Sequence, residues 1–203
     1  MEKTALVTGA DGGLGIPVTK ALLDAGFLVA GLAPNIKQSL FDSPHFMALP
    51  ARLDSLEAAK RSADAVITKF GKIDVLAHLV GGFAGGPSVG ETDDTSFRRM
   101  FEMNVDSAFH ILRAVLPHMR KAGLGRIIAI GSRAAEAPGA GVGAYSASKA
   151  AMVSLVRTVA VENKDSGITA NVILPGTIDT AANRTAMPKA MPHNGFSRAQ
   201  LLA

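Results

Sequence analysis

The chain has 203 residues, neither cysteine nor tryptophan, 48% hydrophobic and 19% charged residues, and a net charge of +4. That composition excludes a disordered chain, a disulfide scaffold and a thiolate metal site, and a chain of this length is expected to form one domain with a substantial core. No apolar run approaches about 18 residues, so no membrane span is expected. The opening Met1-Glu2-Lys3-Thr4 lacks the layout of a signal peptide. With the missing cysteines, this leads to the expectation of a cytoplasmic protein. Basic residues come in pairs, Arg98-Arg99 and Arg120-Lys121, rather than runs. They read as solvated helix faces, and no nucleic-acid partner is expected.

Along the chain, short apolar runs alternate with stretches of helical period. Residues 4–8 read as a buried strand, 13–25 as a helix with Val18, Ala21 and Leu22 on one face, and 27–32 as a second strand. A short third strand at 46–49 precedes a helix over 55–70 that Gly71 ends. The fourth strand covers 75–80, and one long helix is expected over 93–119, its Asp93-Asp94 start suiting the positive helix end. A fifth strand at 126–130, a helix over 144–163 and a sixth strand at 169–174 follow. Strands separated by helices imply right-handed crossovers and a parallel sheet covered on both faces, which agrees with apolar strands that do not alternate. Such sheets take ligands at the carboxyl ends of their strands.

The chemistry-bearing residues fall at those ends. Gly9, Gly13 and Gly15 lie between the first strand and first helix, where glycines permit a tight turn, close approach to a pyrophosphate and close helix packing. Tyr145 and Lys149 are four apart and so share one helix face. The ammonium would favour the ionised phenol and so make it a usable acid/base. Ser132 ends the fifth strand, and Asn104 sits inside the long helix before it. No histidine has metal-ligand spacing, and His110 and His118 are expected at the surface.

On these residues the sequence resembles the short-chain dehydrogenase/reductase family over nearly its whole length. Thr8-Gly9-x-x-x-Gly13-x-Gly15 is similar to that family's cofactor loop, and Asn104, Ser132, Tyr145 and Lys149 are similar to its catalytic tetrad in order and spacing. Pro175-Gly176-Thr177-Ile178-Asp179-Thr180 resembles its loop after the sixth strand. The resemblance implies a Rossmann-type doubly wound α/β fold and an NAD(P)-dependent oxidoreductase acting on a small carbonyl or alcohol substrate. It implies cofactor contacts from Gly9, Asp11, Gly12, Gly13, Leu14, Gly15, Val80, Gly81, Pro175, Gly176, Ile178 and Thr180, besides Tyr145 and Lys149. Ile178 would meet the nicotinamide amide and Thr180 the carboxamide or phosphates. Ser132 would stabilise the reacting oxygen, and Asn104 would hold a water that links Lys149 to solvent.

The pattern also departs from the family's. His78-Leu79-Val80-Gly81 stands where the family has Asn-Asn-Ala-Gly, and a hydrogen-bonded strand-end histidine is expected there. Ala33-Pro34 at the end of the second strand supplies neither the acid of an NAD site nor the base of an NADP site, and Lys37 is the nearest cation, so the choice between NAD and NADP stays open. Residues 81–87 and 179–188 resemble the corresponding loops of dihydropteridine reductases. Residues 196–203 read as the start of a helix, and the family's seventh strand would follow it, so the domain is expected to be C-terminally short, with the sixth strand as an edge. A truncated, non-catalytic or assembly role is the alternative. The family's pairing helices imply a homodimer, with a tetramer doubtful.

Overall fold

The six apolar runs form one parallel sheet: β1 (Thr4–Thr8), β2 (Leu28–Ala33), β3 (Phe46–Pro50), β4 (Val75–His78), β5 (Gly125–Ile130) and β6 (Ile168–Ile173). The computed structural model describes residues 2–186, so the stretch 191–195, the segment 196–203 and the end of the loop 179–188 lie outside the described residues. Strand order is β3-β2-β1-β4-β5-β6. The chain winds outward from β1 to β3, then returns to the other side of β1 at β4. The order therefore reverses between β1 and β4, which opens a crevice above their carboxyl ends.

The helices are α1 (Gly15–Asp24), α2 (Leu56–Phe70), α3 (Asp94–Phe101), α4 (Ser107–Ala122), α5 (Gly143–Glu162) and α6 (Ala181–Ala186). Ser55 caps α2 by accepting from the Ala58 N–H at 3.2 Å, and Gly71 ends it as expected. The single helix anticipated over 93–119 is instead α3 and α4 joined by one π turn, Glu102–Asp106. Its cause is tertiary: Asn104 at the centre of that turn is buried and bonded away from its own helix, as described below.

On one face of the sheet, Leu6, Leu32, Leu76 and Ile127 pack with Val66, Ile111, Val115, Met119, Met152 and Val156 of α2, α4 and α5 in the main core. On the other face Val7, Val29 and Ala77 pack with Val18, Leu22 and Leu23 of α1. Two-sided burial holds for β1, and β2 is buried from its second residue onward, but β5 and β6 alternate in burial, contrary to the expected pattern. Among the described residues, Ile173 on β6 is 50% exposed. His110 and His118 are half-buried rather than at the surface: His110 Nδ1 lies 3.1 Å from the Leu53 carbonyl, and His118 faces Asp64 at 3.4 Å.

The first turn of α1 sits so tightly on the loop before it that a Cβ at Gly15 would collide with the Gly9 carbonyl oxygen and with Ala10 Cα. Both obstacles are backbone and cannot swing aside. Gly15→Ala should therefore lose about 1–3 kcal/mol of stability in a denaturant titration. Gly90→Ala, where an added Cβ meets nothing within 4 Å, should stay within about 0.5 kcal/mol.

Candidate active site

The glycine loop is tied to the sheet by backbone alone. The Gly9 N–H donates to the Leu32 carbonyl at 2.7 Å, and the Gly12 N–H to the Gly9 carbonyl at 3.0 Å. Gly9 takes a left-handed φ of 69°, and a Cβ on it would press on the Leu79–Val80 peptide at 3.2–3.3 Å. On the opposite side, a Cβ at Gly13 would meet Thr180 Cγ2 at 2.8 Å, so the loop after β6 closes directly over the glycine loop. The first turn of α1 has no side-chain cap and no acidic residue; the Ile16 N–H donates to the Gly12 carbonyl at 3.0 Å and Pro17 has none, so among the described residues the N–H groups of Gly13, Leu14 and Gly15 are the ones left without a partner. A glycine loop packed this closely, with free N–H groups at the start of a helix, suits a pyrophosphate.

The cleft above the sheet has a volume of about 630 Å³. Ser132, Tyr145 and Lys149 all line it, from the end of β5 and one face of α5. The Lys149 ammonium donates to the Ile130 carbonyl at 2.9 Å. Its side chain is only 5% exposed, and burial lowers its pKa from 10.5 to about 8. The Ser132 hydroxyl oxygen accepts from the Ala134 N–H at 3.2 Å, which holds it at the cleft wall.

Asn104 lies one layer beneath. Its amide oxygen accepts from the Gly82 N–H at 3.0 Å, and its amide nitrogen donates to the Gly82 carbonyl at 3.1 Å and to Ser148 Oγ at 3.0 Å. Ser148 in turn donates to the Tyr145 carbonyl at 2.8 Å. A Cβ at Gly81 would strike Asn104 Oδ1 at 2.8 Å and Lys149 Nζ at 2.9 Å. The amide thus ties the exit of β4 to the turn of α5 that carries Tyr145.

His78 is a strand-end histidine hydrogen-bonded as expected. Its Nδ1 lies 2.9 Å from Thr8 Oγ1, directly across the β1–β4 pair, and that oxygen also accepts from the Leu79 N–H at 3.2 Å. The ring is buried, and Nε2 has no partner among the described residues. Burial, and secondarily the Lys149 ammonium, lower its pKa from 6.5 to about 3.

Gly9, Gly12, Gly13, Leu14, Gly15, Gly81, Pro175, Gly176, Ile178 and Thr180 line the same cleft, whereas Asp11 is exposed beside the loop and Val80 packs against the main core. Three further residues line the cleft, of which sequence reasoning passed over Arg133. Phe83 sets its ring edge-on to Tyr145, with centroids 5.0 Å apart. Arg133 follows Ser132 on the cleft wall. Asn183 donates to the Ile178 carbonyl at 2.9 Å and so shapes the loop after β6. Only Asn183 carried a local signal, three residues after a threonine that caps α6. At the mouth, the loops after β4 and β5 are clasped by the Gly86 N–H donating to the Gly141 carbonyl at 2.8 Å. Among the described residues no group of three or more potential metal ligands exists, and no helix is long and apolar enough to cross a membrane.

A family model described as short chain dehydrogenase matches residues 3–190. The 7alpha-hydroxysteroid dehydrogenase of Escherichia coli (strain K12) is 35% identical over 192 residues, spanning 91% of this chain and 74% of that protein. The 2-(R)-hydroxypropyl-CoM dehydrogenase of Xanthobacter autotrophicus is 35% identical over 191 residues, spanning 89% of this chain and 76% of that protein. The solved structure of ElxO with NADP bound matches with a TM-score of 0.87 at 26% identity, over 93% of this chain and 79% of that one. The narrower likeness to dihydropteridine reductases is not carried by these matches.

The buried histidine makes stability depend on pH. Unfolded, a histidine binds its proton near 6.5; folded, His78 does so only near 3. Between these values the unfolded chain holds the extra proton, so stability falls as pH falls, by up to about 1.4 kcal/mol per pH unit. Unfolding midpoints measured from pH 7 to 4 should show this slope, and His78→Asn should flatten it.

Proposed function

The chain belongs to the short chain dehydrogenase family, and on that premise we propose that it is an NAD(P)-dependent oxidoreductase that interconverts a carbonyl and an alcohol with Tyr145 as the acid/base. The observation that carries this reading is the convergence of Ser132, Tyr145 and Lys149 in one cleft whose other end is the glycine cradle.

When bound, a nicotinamide supplies or accepts the hydride. The residues that would hold it are Gly9, Gly13 and Gly15 with the first turn of α1 at the pyrophosphate, and Ile178 and Thr180 of the facing loop at the nicotinamide end. The fit rests on the close backbone approach that Gly9 and Gly13 allow, where a Cβ would press on the Leu79–Val80 peptide and on Thr180, and on the uncapped helix start. In reduction, Tyr145 gives its hydroxyl proton to the substrate oxygen, and in oxidation it takes the proton back. Ser132 donates to the same oxygen and stabilises its developing charge. Lys149, cationic below about pH 8, favours the phenolate left on Tyr145. Asn104 keeps the frame of this pair in register through Gly82 and Ser148. At the nucleotide end, Ala33 is buried and Lys37 exposed, and β2 ends without an acidic residue, so the cofactor is written NAD(P).

Tyr145→Phe should lower turnover by about a hundredfold or more in NADPH- or NADH-driven carbonyl reduction, while nucleotide affinity in a fluorescence titration is retained. Turnover that survives this change removes the reading. Because Lys149 loses its charge near pH 8, the rate of reduction should decline through that value as pH rises, and a rate flat to pH 10 would contradict the role given to the lysine.

A further inference from the structure

We propose that Arg133 binds a carboxylate on the substrate, so that the preferred substrate of this site is an oxo acid or the corresponding hydroxy acid. The inference rests on the oxidoreductase reading above and narrows its substrate class.

Arg133 follows Ser132 directly, and its N–H donates to the Pro175 carbonyl at 3.1 Å, which fixes its backbone at the junction of the two loops. Its side chain lines the cleft and runs beside Gly176, where a Cβ would come within 3.9 Å of Arg133 Cδ. This is the reacting end of the cleft. The glycine cradle instead packs against Thr180, further along the same loop.

The guanidinium has no carboxylate partner among the described residues, although two carboxylates belong to the same segments. Glu136, three residues on, is held by Arg157 at 2.7 Å. Asp179, on the facing loop, is gripped by both arms of Arg184 at 2.6 Å. With its neighbours' acids engaged elsewhere, Arg133 lines the cleft as an exposed cation without a carboxylate partner among the described residues; the other ionisable cation of the lining is the buried Lys149, and no acidic residue contributes to it. Phe83, Ala134, Ala137 and Val142 make the rest of that wall apolar or small. One forked cation on an otherwise apolar wall, beside the group that would take the reacting oxygen, suits a carboxylate joined to the carbonyl by a short chain.

The test compares linear 2-oxo, 3-oxo and 4-oxo acids with their methyl esters, using NADPH and NADH. At least one acid should exceed its ester about tenfold in kcat/KM, and Arg133→Gln should erase that ratio through KM for the acid, with the dissociation constant for the nucleotide within about twofold of the unaltered protein. Equal kcat/KM for every acid and its ester overturns the proposal and leaves the oxidoreductase reading standing. A nucleotide dissociation constant that rises tenfold in Arg133→Gln also overturns it, because the arginine then serves a cofactor phosphate. Failure of every acid and ester to be reduced, with nucleotide bound, overturns the carboxylate proposal, and the oxidoreductase reading falls with it only when a panel of uncharged aldehydes and ketones is also left unreduced.

Discussion

The side-chain amide of Asn104 is the interaction on which the geometry of the site depends. It meets both polar groups of Gly82 and reaches Ser148, which passes the restraint to the Tyr145 carbonyl. All of these groups are buried or partly buried, where an unpaired amide costs about 1–3 kcal/mol, so the network holds together as a unit or is lost as one. The π turn at Glu102–Asp106 is the backbone's accommodation to that demand. Gly81 completes it, since only a residue without a side chain leaves room for Asn104 and Lys149 to approach the same peptide.

Two buried titratable groups near this network reach opposite charge states at neutral pH. Lys149 keeps its proton because its folded pKa, though lowered by burial, stays near 8, and it gives a hydrogen bond to the Ile130 carbonyl. His78 starts from a lower intrinsic value, suffers the same desolvation and faces the lysine's charge as well, so it is neutral. The Thr8–His78 bond joins β1 to β4 at the point where strand order reverses, and a neutral ring can sit there without setting a second positive charge behind that of Lys149.

Much of this was readable beforehand because it rests on local rules. The parallel sheet and its crossovers follow from the alternation of apolar runs with helical periods, and the glycine loop and the four-residue step from Tyr145 to Lys149 are spacings visible in one dimension. The break between α3 and α4 was not readable. Residues 101–107 carry neither glycine nor proline, and the turn is imposed by partners at positions 82 and 148. The alternation of β5 and β6 was hidden for a related reason: their apolar residues give no sign of which face other elements cover. Arg133 was passed over because it matters through what stands opposite it, Gly176 on the facing loop.

The clasp between Gly86 and Gly141 is made wholly of backbone, and a Cβ on Gly141 would press on the Gly86 carbonyl at 3.0 Å. The width of the entrance is therefore written into the main chain, and the flanking side chains, Phe83 and Val142 among them, are released from any duty of holding it. Frame and wallpaper are separate here. Side chains at the wall positions can change what the cleft admits while the backbone clasp of Gly86 and Gly141 stays put, leaving Ser132, Tyr145 and Lys149 behind it undisturbed.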